Sequence, residues 1–149
     1  MILLAHMLFG VAIGSYFKDP FLAILLAFFS HYLLDLLPHN EYSIKNISEK
    51  KWDKAFPDIL KIALDFGFGI ILISLFSTGA PIIFAIAFFA ILPDGFSILS
   101  ALFPNKFFAL HDILHRKKIH FLKYKKISSF WRLATQAGVV IFSLVLMLI

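Results

Sequence analysis

The chain has 149 residues, of which 60% are hydrophobic and only 15% charged, and its mean hydropathy is +0.89. A water-soluble fold of this size cannot hide so much apolar surface, so the composition points to one integral membrane domain spanning residues 1–149. The formal net charge is +5, and the absence of cysteine excludes disulfides, thiolate-zinc sites and thiol nucleophiles, leaving His, Asp and Glu to hold any metal.

Five apolar segments are expected in order. The first, residues 2–17, carries His6 and a Gly10-x-x-x-Gly14 step that permits close helix packing. It has neither a basic leader nor a small-residue cleavage site, so no cleaved signal peptide is expected. Lys18-Asp19-Pro20 reads as a tight turn. The second segment, residues 21–37, ends in Ser30-His31-Tyr32-Leu33-Leu34-Asp35, with His39 four residues further on. Four residues make about one helical turn, so His31 and Asp35 share a face, and Pro38 ends or kinks the helix before His39. A polar loop over residues 39–58 holds Lys45, Lys50, Lys51 and Lys54 beside Glu41, Glu49 and Asp53, with Trp52 as an interface anchor. The third segment, residues 59–76, has Lys61 and Asp65 in its first two turns. The fourth, residues 81–103, contains Pro93-Asp94. A second polar stretch, residues 104–126, holds His111, Asp112, His115 and His120. The last segment, residues 127–149, is apolar apart from Arg132 and Gln136 near its start.

If all five segments cross, the N-terminus and both polar stretches share one side. Of 14 Lys and Arg residues, only Lys18 falls on the other. The positive-inside rule then makes the first side cytoplasmic. The expected fold is therefore an all-α polytopic helical bundle of about five transmembrane helices, N-terminus inside, in a prokaryotic inner (cytoplasmic) membrane. The same topology brings His6, His31, Asp35, His39, Asp65, Asp94 and the histidines of the second polar stretch to one membrane level. Ionisable groups buried in a bilayer cost several kcal/mol or more, so each needs a partner or a task. His and carboxylate side chains from separate helices suit zinc, and also manganese or iron. The basic run Arg116-Lys117-Lys118, continued by Lys123, Lys125 and Lys126, marks topology first and would also favour an anionic lipid or phosphoester.

Each feature also has a plainer reading. Asp65 pairs with Lys61 one turn away, and a His–Asp hydrogen bond serves as helix glue. Asp94 has no basic neighbour in its apolar segment. The basic residues hug helix ends, so no nucleic-acid partner is expected. There is no G-x-S-x-G elbow, phosphate-binding glycine loop or H-E-x-x-H helix.

Four motifs, His6, Ser30-His31-x-x-x-Asp35, Leu92-Pro93-Asp94 and His115-Arg116-x-x-Ile119-His120, together resemble those of the membrane-bound metal-dependent hydrolases of the YdjM type, the LexA-regulated inner-membrane proteins. The chain departs from that pattern in motif order, because Ser-His-x-x-x-Asp comes second rather than last. Phe96 stands where a second acid often follows Leu-Pro-Asp, and Ile119 and Phe121 replace the Thr and Ser flanking the second histidine. The resemblance implies a membrane-embedded, metal-dependent hydrolase. On this reading His31, Asp35, Asp94, His111 and His115 are the leading ligands of a divalent metal, zinc first, followed by His6 and His39. Asp112 or His120 would move protons or orient a ligand, and Arg116 and Lys117 would hold the anionic group of a lipid or lipid-linked (phospho)ester at the cytoplasmic face. The alternative is a structural subunit or small ion carrier whose His/Asp cluster is helix glue. Almost no polar group lies in the outer half of the segments, which argues against a transmembrane ion path.

Overall fold

The computed structural model describes residues 1–103 and 105–149. Pro104, where the second polar stretch begins, and the side chains of Lys123 (part of the basic run) and Tyr124 lie outside the described residues. Among the described residues every regular element is helical. In chain order they are α1 (Leu3–Gly14), α2 (Pro20–Asp35), the single turn α3 (Lys45–Ser48), α4 (Phe56–Phe76), α5 (Pro81–Leu102), α6 (Lys106–Lys118) and α7 (Ser129–Leu148), with 3-10 turns at Trp52–Lys54 and Ile119–Tyr124.

Local chemistry explains the boundaries. Asp19 caps α2 by accepting from the Phe21 and Leu22 amides, and Pro20 occupies the first turn, where its missing N–H costs nothing. A residue before proline is disfavoured in the helical region, and α2 stops at Asp35, three residues short of Pro38. Ser128 caps α7 through the Trp131 amide. The stretch expected as polar loop over residues 104–126 is instead mostly helical. Asn105 caps α6 by accepting from the Phe107 amide at 2.8 Å. Phe107, Leu110 and Leu114 form an exposed apolar stripe, while His111 and His115, one turn apart, face the bundle.

Three helices, α4, α5 and α7, are long and apolar enough to cross a membrane. Only 11% of the apolar window of α4, and the same share of α7, is buried inside the bundle, so both present greasy outer faces. The first two expected spans prove shorter. The 12 residues of α1 reach about 18 Å at about 1.5 Å per residue, short of a hydrocarbon core of about 30 Å.

What α1 lacks in length it has in enclosure. It packs against α2, α4, α5 and α7, and nine of its 12 residues are buried. A helix apolar on every side is a core helix. Its N-terminus is held from α4, where Asp65 accepts from the Leu3 amide at 2.6 Å and from the hydroxyl of Tyr42 at 3.3 Å. Asp65 is thus a cap across helices rather than the partner of Lys61, which lies 3.8 Å from Asp58 instead. The Gly10 and Gly14 step lets α5 and α2 approach α1 closely. A Cβ on Gly10 would stand 2.5 Å from the Ala90 Cβ, and one on Gly14 would stand 2.8 Å from Ile86 Cγ2.

Because the Ala90 Cβ cannot swing aside, Gly10→Ala should destabilise the protein by about 1–3 kcal/mol. Gly138→Ala, where an added Cβ meets nothing within 4 Å, should be neutral or stabilising by up to about 1 kcal/mol. Thermal unfolding of the two variants in detergent, beside the parent protein, checks the contrast.

Candidate metal centre

At the end of the bundle where α1, α4 and α7 begin and α2 and α5 finish, the carboxylate of Asp35 is fully buried. Its Oδ2 lies 3.0 Å from His31 Nε2, 3.1 Å from His115 Nε2 and 3.0 Å from His120 Nε2. Its Oδ1 lies 3.2 Å from His6 Nε2, 3.7 Å from His39 Nε2 and 2.5 Å from the Met1 amine. Five of the six histidines in the chain therefore surround one side chain. Asp94 Oδ1 joins at 3.7 Å from His31 Nε2.

The far side of the rings decides what the near side can do. His31 Nδ1 is 2.9 Å from the Ala90 carbonyl, which can only accept, so Nδ1 carries the proton in the neutral ring and Nε2 presents a lone pair. Pro93 prepares this contact: it has no N–H for the Phe89 carbonyl, which loosens the turn of α5 beside Ala90. His39 Nδ1 is fixed in the same way by the Leu37 carbonyl at 2.7 Å. His115 Nδ1 bonds the Ser97 hydroxyl at 3.2 Å, which leaves its Nε2 facing His31 Nε2 at 3.1 Å. His31 Nε2, His115 Nε2 and Asp35 Oδ2 thus form a near-equilateral triangle, in which the Ser97 hydroxyl, able to donate or accept, lets His115 Nε2 present either a proton or a lone pair. Facing lone pairs repel at this separation unless a proton or a cation lies among them. Ligand atoms about 2.1 Å from a tetrahedral ion stand about 3.4 Å apart, and those of an octahedral ion stand closer, so the triangle has the dimensions of one face of a coordination shell. This buried His/Asp group can hold a metal ion.

His6 is fully buried and stacks on His31, ring centroids 3.9 Å apart. Neither of its nitrogens makes a hydrogen bond, because the approach to Asp35 is misaligned for one. An orphaned buried polar group costs about 1–3 kcal/mol, so His6 is held there at a cost that stacking on His31 and the approach to Asp35 must offset.

Glu41, which the sequence reading did not single out, completes the outer edge. Its Oε1 is 2.7 Å from His120 Nδ1 and 3.2 Å from His39 Nε2. The only sequence signal for it was its place two residues after His39. Burial opposes a charge on His120, yet the Asp35 and Glu41 carboxylates outweigh that and lift its pKa to about 9. The two segments bearing His39 and His120 have no helix to hold them, and α7 does so. Arg132 donates to the carbonyls of His39 at 2.9 Å, Lys125 at 3.2 Å and Leu122 at 3.3 Å. Gln136 donates to the Asn40 carbonyl at 2.9 Å.

Other expected site residues lie further out. His111 is outside the Asp35 group, and its Nε2 shares a 3.0 Å hydrogen bond with the Tyr32 hydroxyl. Burial, with His115 and His31 nearby, lowers its pKa. Asp112 does not reach the cluster either; it accepts from Arg116 Nε at 2.8 Å, one turn along α6. Arg116 itself lines a cavity of about 420 Å³ shared with Glu41, Asp94, Ser97, His115 and His120. Leu3, Ile62 and Ile98 supply apolar wall to the same cavity. Lys117 is exposed beside it in sequence but does not line it.

Comparison with protein-family models, with curated proteins and with solved structures finds no match.

Removing the Arg132 guanidinium takes a donor from the carbonyls of His39, Leu122, Lys125 and Ile127 at once. Arg132→Leu should cost about 2–4 kcal/mol of stability. It should also raise amide exchange in residues 39–41 and 119–127 well above that in α1, which hydrogen–deuterium exchange read by mass spectrometry would register.

Proposed function

We propose that the chain is a membrane-embedded, metal-dependent hydrolase acting on a lipid or lipid-linked phosphoester at the cytoplasmic face of a prokaryotic inner membrane. The carrying observation is the buried triangle of His31 Nε2, His115 Nε2 and Asp35 Oδ2, three ligand-type atoms 3.0–3.1 Å apart in a group that can hold a metal ion. In the topology we infer, α1, α2, α4, α5 and α7 pass through the bilayer or its core, and α6 lies along the inner surface with its Phe107–Leu110–Leu114 stripe toward lipid. Thirteen of the chain's 14 Lys and Arg residues lie between Lys45 and Arg132, all but Lys18, which supports an inward-facing site.

The four residues His31, Asp35, Asp94 and His115 would hold a divalent ion, with zinc the best match to two imidazoles and two carboxylates, and manganese or iron also compatible. Such an ion supplies Lewis acidity, polarising the ester and activating water for attack. The chain's own residues do the rest. The carbonyls of Ala90 and Leu37 and the hydroxyl of Ser97 lock the histidine rings and so fix the donor geometry. Arg116 stands on the cavity wall, where its guanidinium matches an anionic headgroup. Asp112 takes the Nε–H of Arg116 and acts as a positioning residue for it. In hydrolysis the water oxygen bonds to the ester centre, the bond to the leaving oxygen breaks, and the water's proton must be accepted. Asp94, with 26% of its side chain exposed toward the cavity, would take it on the carboxylate oxygen not committed to the ion and pass it to the leaving oxygen. The apolar wall of Leu3, Ile62 and Ile98 suits the start of an acyl chain.

Protein purified in detergent should carry a divalent metal by elemental mass spectrometry and should hydrolyse a phospholipid headgroup ester. Asp35→Asn, which keeps the side chain's size, should lose both the metal and the activity while remaining helical. Arg116→Ala should raise KM for an anionic lipid about 10-fold or more and leave kcat within a few-fold. Absence of metal above background, even after reconstitution, would sink this reading.

A further inference from the structure

A second set of acceptors faces inward on the other side of Asp35. His39 Nε2, His120 Nδ1 and Glu41 Oε1 lie 3.2, 3.2 and 2.7 Å apart. The His39 ring cannot turn its proton to this side, because its Nδ1–H is committed to the Leu37 carbonyl. His120 has one nitrogen on each set: Nε2 lies 3.0 Å from Asp35 Oδ2 and Nδ1 lies 2.7 Å from Glu41 Oε1, where a cation would take the place of the proton that the two carboxylates otherwise hold on the ring. Two imidazole nitrogens and a carboxylate thus converge, and Asp35, His39 and His120 together form a group that can hold a metal ion. Both histidines are buried, whereas Glu41 has 29% of its side chain exposed on the cavity wall.

Asp35 links the two sets. Its Oδ2 faces His31 and His115, and its Oδ1 faces His39 at 3.7 Å and the unpartnered His6 at 3.2 Å. The number of donors also exceeds what one ion takes. A zinc ion binds about four ligands and an octahedral ion six, while the cluster assembles five histidines and three carboxylates.

We propose that His39, Glu41 and His120, with Asp35 Oδ1, form a second divalent-cation site, and that Asp35 bridges it to the first. This rests on the metal-centre reading above and extends it from one ion to a pair. Paired ions bridged in this way typically stand about 3.5–4 Å apart and clamp a phosphoryl group from two sides. Two divalent ions would carry one more positive charge than Asp35, Asp94 and Glu41 cancel, so the site would attract an anionic phosphoester and leave Arg116 to hold the rest of its headgroup.

The test is manganese and zinc titration of the full-length protein in detergent, read by elemental mass spectrometry and by electron paramagnetic resonance. Two ions per chain at saturation, with an exchange-coupled manganese signal, are expected. Glu41→Gln and His39→Ala should each bind one ion and lose the coupled signal, and the retained ion certifies that the rest of the cluster is folded. Asp94→Asn should weaken the first ion and keep the second, while Asp35→Asn should lose both. One ion per chain in the parent protein, with no coupled signal, would overturn the second site, because a proton on His120 would then suffice for that edge. It would leave the hydrolase reading intact. No ion in any preparation would overturn both. Two ions with no hydrolysis of any phosphoester would support the pair and count against the hydrolase alone.

Discussion

A fully buried carboxylate ringed by imidazoles is the constraint on which the rest of this structure depends. Asp35 sits in a bundle with little polar material, where an isolated charge costs several kcal/mol or more, and it draws its surroundings from five separate segments. Each of those segments must arrive at the right depth and rotation for its histidine to reach within 3–4 Å. The positions of α1, α2, α6, the turn after α6 and the loop after α2 are therefore not independent choices.

The packing that makes this possible is concentrated on α1. It is too short to be a self-sufficient span, yet it is the helix that the others surround. Its glycines let the backbone of α5 come so close that Gly10 abuts Ala90, and the carbonyl of Ala90 is the group that fixes the tautomer of His31. A steric feature and a chemical one thus meet at a single residue. Pro93, one turn along, leaves the neighbouring Phe89 carbonyl of α5 without its helical donor.

The outer edge of the centre is built on different principles. His39 and Glu41 lie in loop and His120 in the 3-10 turn after α6, segments whose backbone polar groups need partners from elsewhere. Arg132 and Gln136, on the first two turns of α7, supply donors to those carbonyls. These two residues interrupt an otherwise apolar helix, and their cost there is offset by the order they bring to the ligand-bearing segments. The contrast between an inner triangle held by rigid helices and an outer one held by side-chain donors fits a site whose inner half is fixed and whose outer half borders the cavity.

Much of this was written in the chain's one-dimensional pattern. Apolar run lengths identified the three helices long and apolar enough to cross a membrane, the His31–Asp35 spacing put both residues on one face, and segment polarity placed six histidines and three aspartates toward one end. These follow from local periodicity and from the cost of burying charge, both of which act residue by residue. The tertiary structure decided what depends on rotation about helix axes and on the course of irregular chain. It turned Asp112 toward Arg116 and His111 toward Tyr32, gave Asp65 to the N-terminus of α1, made a helix of residues 106–118, and brought Glu41 in from a loop. A helix places side chains at 100° intervals whatever their chemistry, so which of several neighbouring histidines and aspartates points inward is settled only when the faces pack, and a loop carboxylate has no periodicity to announce it.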